Sequence, residues 1–452
     1  MSPVDQRIVW RHAPATLMLA LIVLQQGSVA ASAFFLTAAI ERFQSGEDYA
    51  AALLGYLAFM AFPYLPGCAS FVFMQRWVND AHRAFVEQLA GRMAGKSDVH
   101  RNRALRESAE SILARTSYPA LKDFIGFMHE LLSFSLNSVL SMAVVAWLLP
   151  RQIALGYLAS LALCIAIVLL LRGGVARAAA AAETGYMAYS AVLARAWDNL
   201  TLGNRHNRER WELRMQSAGA GFYGASSALQ RRRQAGNLLL AAASLGPTIF
   251  LVLALGRDDL SQPPVMAAVL VSLTRIFLIL NSLSALVHQA LEWSSMKSRL
   301  EVLFRTSAAV AHAQPQGAPP LAAGAIRFEG EPVEGIEALA ERLARAGHGR
   351  FRIAGANGSG KSTALLALKS RLGDAAVLLP AHPGDLEWDA DMATRSTGQR
   401  IDACLAELLR LPAIRYLLLD EWDANLDAEN TARIEALLDA WARTRTVVEV
   451  RH

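Results

Sequence analysis

Five stretches of this 452-residue chain, 13–40, 49–75, 131–150, 152–171 and 234–256, run for twenty residues or more without one Asp, Glu, Lys or Arg. About 20 apolar residues are what a helix needs to cross a hydrocarbon core, where only its own backbone can satisfy its peptide groups. A sixth stretch, 260–291, has the same character but is interrupted by Arg275 and His288. Six membrane spans are therefore expected. The composition agrees, with 54% hydrophobic and 18% charged residues, where soluble domains carry roughly 25% charged. It excludes a disordered chain. Three cysteines, Cys68, Cys164 and Cys404, lie far apart without ligand spacing, so neither a disulfide framework nor a zinc site is expected. The first apolar run is too long for a signal peptide and reads as a retained span.

Lys and Arg accumulate on the cytoplasmic side of membranes, which makes the loops an orientation signal. Segments 76–123 and 172–233 hold 9 and 10 basic residues against 6 and 4 acidic ones; the opposite connections 41–48, 151 and 257–259 hold 3 basic and 5 acidic. Both termini are thus expected in the cytoplasm of a multi-pass protein of the bacterial inner membrane. Residues 1–324 carry 28 Lys and Arg against 19 Asp and Glu, and residues 325–452 carry 16 against 20. The basic excess belongs to the membrane part, and a nucleic-acid partner is not expected. The spacing of Phe85, Leu89 and Met93 predicts spans that continue beyond the bilayer as extended helices.

From Ser307 to Ala325 the chain turns Ala/Pro/Gly-rich and loses periodicity. The expected division is a six-helix transmembrane domain over 1–304, a linker over 305–325 and a soluble α/β domain over 326–452.

Within that last domain, Gly355-Ala356-Asn357-Gly358-Ser359-Gly360-Lys361-Ser362-Thr363 fits G-x-x-x-x-G-K-[ST]. An alternating strand around Phe351 and Ile353 precedes it and a Leu/Ala/Lys helix ending at Gly373 follows, the context a phosphate-binding loop requires. Backbone N–H groups close around phosphate oxygens, Lys361 reaches the β- and γ-phosphates, and the Ser362 hydroxyl faces Mg²⁺. The apolar run Tyr416–Leu419 ends in Asp420 and Glu421. Following such a loop, Asp420 is the expected Mg²⁺ partner and Glu421 the group that polarises the attacking water. Ser396 and Gln399 open a helix carrying Ile401, Leu405, Leu408 and Leu409; alone they are equally a capping box.

Together these residues resemble the nucleotide-binding domain of the ATP-binding-cassette superfamily, and six spans ahead of it resemble an exporter-type half-transporter. The family's signature serine precedes the strand-tip aspartate by a little over twenty residues, and here Ser396 stands 24 before Asp420. Asp427 and His452, 7 and 32 residues after Asp420, stand where the family has a conserved aspartate and a switch histidine. The resemblance implies a homodimer that sandwiches ATP and Mg²⁺. Gly355–Thr363 of one chain would face Ser396, Thr397, Gly398 and Gln399 of the other, with Asp427 nearby and His452 holding the γ-phosphate beside Glu421. It implies ATP hydrolysis coupled to export of a small molecule or peptide. A nucleotide-binding membrane regulator or scaffold with little turnover is the alternative.

The chain departs from the family at several positions. Only 35 positions separate Lys361 from Ser396, so the helical subdomain is reduced. Ala381 or His382 stands where the family has a glutamine, Arg395 and Thr397 alter the signature, and Trp422 replaces a proline. For adenine stacking the nearest aromatic is Phe328, which reads more readily as a core strand residue. With the subdomain pared away, segments 94–120 and 195–215 are expected against the Pro383–Thr394 remnant and the core. Arg275 is expected to face the bundle interior, as a substrate or gating contact or as a partner of Gln25 or Gln26.

Overall fold

The computed structural model describes the chain apart from residues 1–2, 98–99, 101, 149–150, 259–288, 290–291, 294–295, 298, 314–325, 334, 357, 381–385, 393–394, 424–425 and 452. The sixth apolar stretch except Gln289, with Arg275 and His288, most of the expected linker, Asn357, Ala381, His382 and His452 lie outside the described residues. Two compact units emerge, Met1–Val86 with Leu113–Arg305 and Glu87–Ile112 with Thr306–His452.

The first unit is helical. It contains α1 (Pro3–Trp10), α2 (Ala13–Ser45), α3 (Ala50–Ala61), most of α4 (Tyr64–Met93), α6 (Ser117–Leu148), α7 (Arg151–Leu193), α8 (Ala196–Thr201) and α9 (Arg205–Asp258), with α5 (Arg103–Ser111) belonging to the second unit. Among the described residues three stretches are long and apolar enough to cross a membrane, Ala13–Ser45, Ala50–Met93 and Leu158–Leu193. Their outward faces are greasy: Leu24, Leu54 and Leu170 are exposed.

The expected single span over 49–75 is divided between α3 and α4 at Phe62 and Pro63. Pro63 has no N–H to give to the preceding turn and its ring crowds that turn's carbonyl. Gln25 packs against this span, since a Cβ on Gly67 would lie 2.6 Å from Gln25 Nε2. Helix α4 continues to Met93 as expected, burying Phe85 and Leu89.

Helices α7 and α9, about 65 and 80 Å long at 1.5 Å per residue, run side by side in opposite directions. Polar contacts keep one register along them. Trp211 Nε1 donates to the Val192 carbonyl (2.9 Å), Tyr223 to Tyr189 (3.1 Å), Arg232 Nη1 to the Gly174 carbonyl (3.0 Å), and Cys164 Sγ to the Leu240 carbonyl (3.9 Å).

Helix α10 (299–312), whose residues from Thr306 on belong to the second unit, carries on past Ser307, where loss of periodicity suggested a linker. Its last turn has partners from elsewhere in the sequence. Arg92 donates to Ser307 Oγ at 2.8 Å, and the Lys96 ammonium bonds the Val310 and Ala311 carbonyls, both at 2.7 Å. A cation on otherwise orphaned C-terminal carbonyls stabilises a helix end.

Beyond lies a mixed six-stranded sheet in the order β2-β1-β3-β6-β5-β4. The strands are β1 (Ile326–Phe328), β2 (Glu331–Pro332), β3 (Gly349–Gly355), β4 (Ala376–Leu379), β5 (Tyr416–Asp420) and β6 (Thr446–Val450). The last four are parallel, with β1 antiparallel to both β2 and β3. Helices α11 (Ile336–Ala346) and α12 (Lys361–Leu372) cover one face, and α13 (Thr397–Leu409) and α14 (Ala428–Ala442) the other. Helical spacing sets each buried stripe, as with Ile401, Cys404, Leu405 and Leu408 on α13 or Ile434, Leu438 and Trp441 on α14. The 386–392 remnant joins this second face through Trp388 and Met392, with the Asp389 amide on Glu407 at 2.9 Å. Of the helical segments expected against the remnant, 94–112 belongs to this unit and 195–215 to the first.

Cys404 lies fully buried in the α13 face, and burial, with the nearby Glu407 charge, pushes its thiol up to about 11. Only the thiolate attacks alkylating reagents. Cys404 in the folded protein therefore resists iodoacetamide at pH 8 and becomes labelled on denaturation, as peptide mass spectrometry of the two samples will show.

Candidate functional site

Three parallel strand ends lie level: Ile353 of β3 pairs with Val450 of β6, which pairs on its other side with Asp420 of β5. Whatever follows each strand therefore gathers at one edge of the sheet. After β3 comes the glycine-rich loop, in which Gly358 (φ 81°) and Gly360 (φ 98°) take left-handed conformations that only glycine adopts without strain. Gly360 caps α12 without a side chain, so the first N–H groups of that helix face the loop's hollow. The Lys361 ammonium folds over the loop onto the carbonyls of Gly355 (2.9 Å) and Ala356 (3.4 Å). Ser359 Oγ is buried and has no hydrogen-bond partner among the described residues. The glycine turns, the helix start, the lysine and the orphaned hydroxyl together fit a phosphate group.

Ser362, in the first turn of α12 with Thr363, donates from Oγ to Asp420 Oδ1 at 3.0 Å. These two oxygens come from elements 58 residues apart in sequence. Mg²⁺ takes few protein oxygens and completes its octahedron with water and phosphate, so this pair suits it. Among the described residues no cluster of three or more His, Cys, Asp or Glu forms an alternative metal site.

Glu421 follows at φ 50°, a left-handed backbone costing about 1–3 kcal/mol in a non-glycine residue. Its surroundings hold it there. The Glu421 amide donates to the Val450 carbonyl at 2.9 Å, and the next residue, Trp422, is buried in the α13/α14 core. The Trp422 indole donates to Glu449 Oε2 at 3.1 Å. Glu449, itself buried, accepts a two-pronged contact from Arg350 (3.2 and 3.0 Å) and an ion pair from Arg451 at 3.2 Å. Arg451 also pairs with Glu435 at 2.7 Å and lies over the Trp422 ring. Burial alone would lower the Arg350 guanidinium, but the bonds and charges of Glu449 and Asp439 outweigh it and push the group up. Sequence reading missed Glu449 and Arg350. The available signal was one carboxylate inside the apolar strand Thr446–Val450.

A second group forms around two helix starts. Ser396 caps α13 in a capping box, with Gln399 Oε1 accepting from the Ser396 amide at 3.2 Å. Asp427 caps α14, accepting from the Asn430 amide (2.7 Å) and side chain (2.9 Å). A Cβ on Gly398 would lie 2.9 Å from Asn430 Cγ, so the glycine lets the two helix starts approach. The described hydrogen bonds of Ser396, Gln399 and Asp427 stay within α13 and α14. Phe328 belongs to the core, stacked on Phe351 at 5.4 Å, and offers no face for adenine.

Two substitutions probe this framework. Glu449→Gln leaves Arg350 and Arg451 short of a buried counter-charge, which costs about 3 kcal/mol and will show as a lowered urea midpoint for the C-terminal unit. Gly398→Ala, which in an ordinary helix gains about 1 kcal/mol, instead loses roughly 1–2 kcal/mol because the pinned Asn430 must move; thermal unfolding of the two proteins measures the sign. No protein-family model matches the chain, and no curated protein matches it either.

Proposed function

We propose that the chain is a six-span half-transporter of the ATP-binding-cassette type, which works as a homodimer in the bacterial inner membrane. It couples ATP hydrolysis to export of a small molecule or peptide. The observation that carries this reading is the Ser362–Asp420 hydrogen bond at 3.0 Å beneath the Lys361 loop. Three helices long and apolar enough for a bilayer support the membrane half.

In this reading the amides of 355–363 and the Lys361 ammonium bind the β- and γ-phosphate oxygens, Lys361 exchanging the carbonyls of Gly355 and Ala356 for the phosphates. Mg²⁺, held by Ser362 Oγ and Asp420, would supply charge neutralisation between those phosphates. Glu421 orients the attacking water at its strand tip, and the backbone locked by Val450 and Trp422 fixes where its carboxylate starts. Ser396–Gln399 and Asp427 of the second copy close over the nucleotide, which explains two pre-capped helix starts whose hydrogen bonds stay within α13 and α14. Tighter ATP binding by the closed dimer than by the open one drives the membrane part between its two states.

The purified protein in liposomes is expected to hydrolyse ATP in a Mg²⁺-dependent manner. Glu421→Gln should retain nucleotide binding and lose turnover about a hundredfold or more, while Lys361→Ala loses binding. A wild-type rate no higher than that of Glu421→Gln overturns the transporter reading and supports a nucleotide-binding regulator or scaffold.

A further inference from the structure

A cavity of about 360 Å³ lies between α7 and α9, lined by Arg177, Ala178, Ala181, Ala225, Ala228 and Arg232. We infer that it is a binding site for the phosphate headgroup of an anionic phospholipid, held between the Arg177 and Arg232 guanidinium groups at the membrane boundary.

The cavity's level in the bilayer comes from the helix register. Arg232 reaches the Gly174 carbonyl and Cys164 the Leu240 carbonyl, so the end of the charge-free run 152–171 stands beside the start of 234–256. Both helices leave hydrocarbon at the same height. From there a headgroup layer some 5–7 Å deep begins. Arg232 stands at its edge, and Arg177, whose backbone lies about 9 Å along the axis at 1.5 Å per residue, reaches back into the layer, its Nε bonded to the Gly173 carbonyl two residues past Leu171.

The charge pattern selects the ligand. Between 172 and 182 on α7, and between 224 and 233 on α9, there are five arginines and no Asp or Glu. Arg233 pairs with Glu292 at 3.1 Å. Arg177 and Arg232 have no carboxylate partner among the described residues. Each spends one N–H on α7's own backbone, Arg177 Nε on the Gly173 carbonyl (3.2 Å) and Arg232 Nη1 on the Gly174 carbonyl (3.0 Å). Two like charges are thereby drawn to one helical turn with most of their donors unused. An anion between them relieves the repulsion, and planar guanidinium forks match phosphate oxygens. The four alanines supply the space, and the neighbouring apolar surface, with Leu170 and Leu238 exposed, accepts acyl chains. The volume falls within the 300–1,000 Å³ range of small-ligand sites.

This inference rests on the membrane reading and not on ATP turnover. The full-length protein, purified in detergent, is mixed with phosphatidylglycerol and phosphatidylcholine of identical acyl chains, and retained lipid is counted by native mass spectrometry. Wild type should prefer phosphatidylglycerol. The double variant Arg177→Gln/Arg232→Gln should weaken that preference by roughly a factor of thirty, from the known pull of two basic residues near an anionic surface. Ala225→Leu, which fills the cavity and keeps the charges, should lose it as well. Arg210→Gln/Arg214→Gln, removing equal charge further along α9, should not, and millimolar inorganic phosphate should not displace the lipid. Equal retention of both lipids by wild type overturns the inference, as does an undiminished preference in either the double variant or Ala225→Leu. Full displacement by inorganic phosphate overturns the lipid assignment in favour of a soluble anion. If the chain does not float with liposomes, the membrane reading itself fails; if it floats without lipid preference, only this inference does.

Discussion

The parallel register of β3, β6 and β5 is the constraint on which the C-terminal unit turns. Because Ile353, Val450 and Asp420 are hydrogen-bonded neighbours, three segments far apart in sequence begin their loops at one height. A slip of one residue on β5 would send Asp420 to the opposite face of the sheet and break its bond to Ser362. The apolar side chains forbid that slip. Leu417 and Leu419 are buried against α13 and α14 while Leu418 is buried against α11 and α12, so a shifted strand would exchange two packed cores at once. Packing on both faces thus fixes the site's geometry, and the polar atoms at the edge inherit it.

In the proposed membrane setting, the long helices α7 and α9 obey a related rule in a different solvent. Apolar packing against lipid says little about how two helices slide along each other, since one leucine face resembles another. Their register is held by polar contacts to backbone and side chains, most of them outside the charge-free runs: Trp211 to Val192, Tyr223 to Tyr189, and Arg232 to Gly174. In that proposed setting these contacts lie where water or headgroups weaken the penalty of an imperfect bond. The small residues between them, from Ala178 to Ala182 and at Ala225 and Ala228, let the backbones come close and leave the cavity where two arginines face it.

Much of this was legible before any coordinates. The strands around Phe351, Tyr416 and Val447, the helix stop at Gly373 and the cap at Ser396 all follow from local rules, since alternation, glycine and capping chemistry act within a few residues. What was not legible depends on distant pairing. The continuation of α10 past Ser307 needs Arg92 and Lys96, some 215 residues earlier. The break at Pro63 was visible but lay inside an unbroken apolar run, and hydropathy outweighed it. At the site, the resemblance set Gly398 against a second copy's nucleotide without showing that, within the chain, it also makes room for Asn430. A sequence motif reports that a small residue is needed without reporting which neighbour needs it.

Glu449 shows the same point in energetic terms. A carboxylate buried in an apolar strand is costly, and its ion pairs roughly repay the desolvation without surplus, so a well-packed apolar residue there would serve stability as well. Direction is what the charge adds. It accepts hydrogen bonds from β3 (Arg350) and from the turn after β5 (Trp422), each satisfied at one orientation only, and it forms an ion pair with the residue after β6 (Arg451). An apolar contact would let these segments shift by fractions of an ångström at little cost. The hydrogen-bonded carboxylate does not, and Glu421, held left-handed immediately before Trp422, is the residue whose position depends on it. Trp422, which stands where the family it resembles has a proline, therefore supplies a donor that ties the strand tip to the sheet. Rigidity that a proline ring would give through its fixed φ is achieved here by an indole bonded to a buried charge.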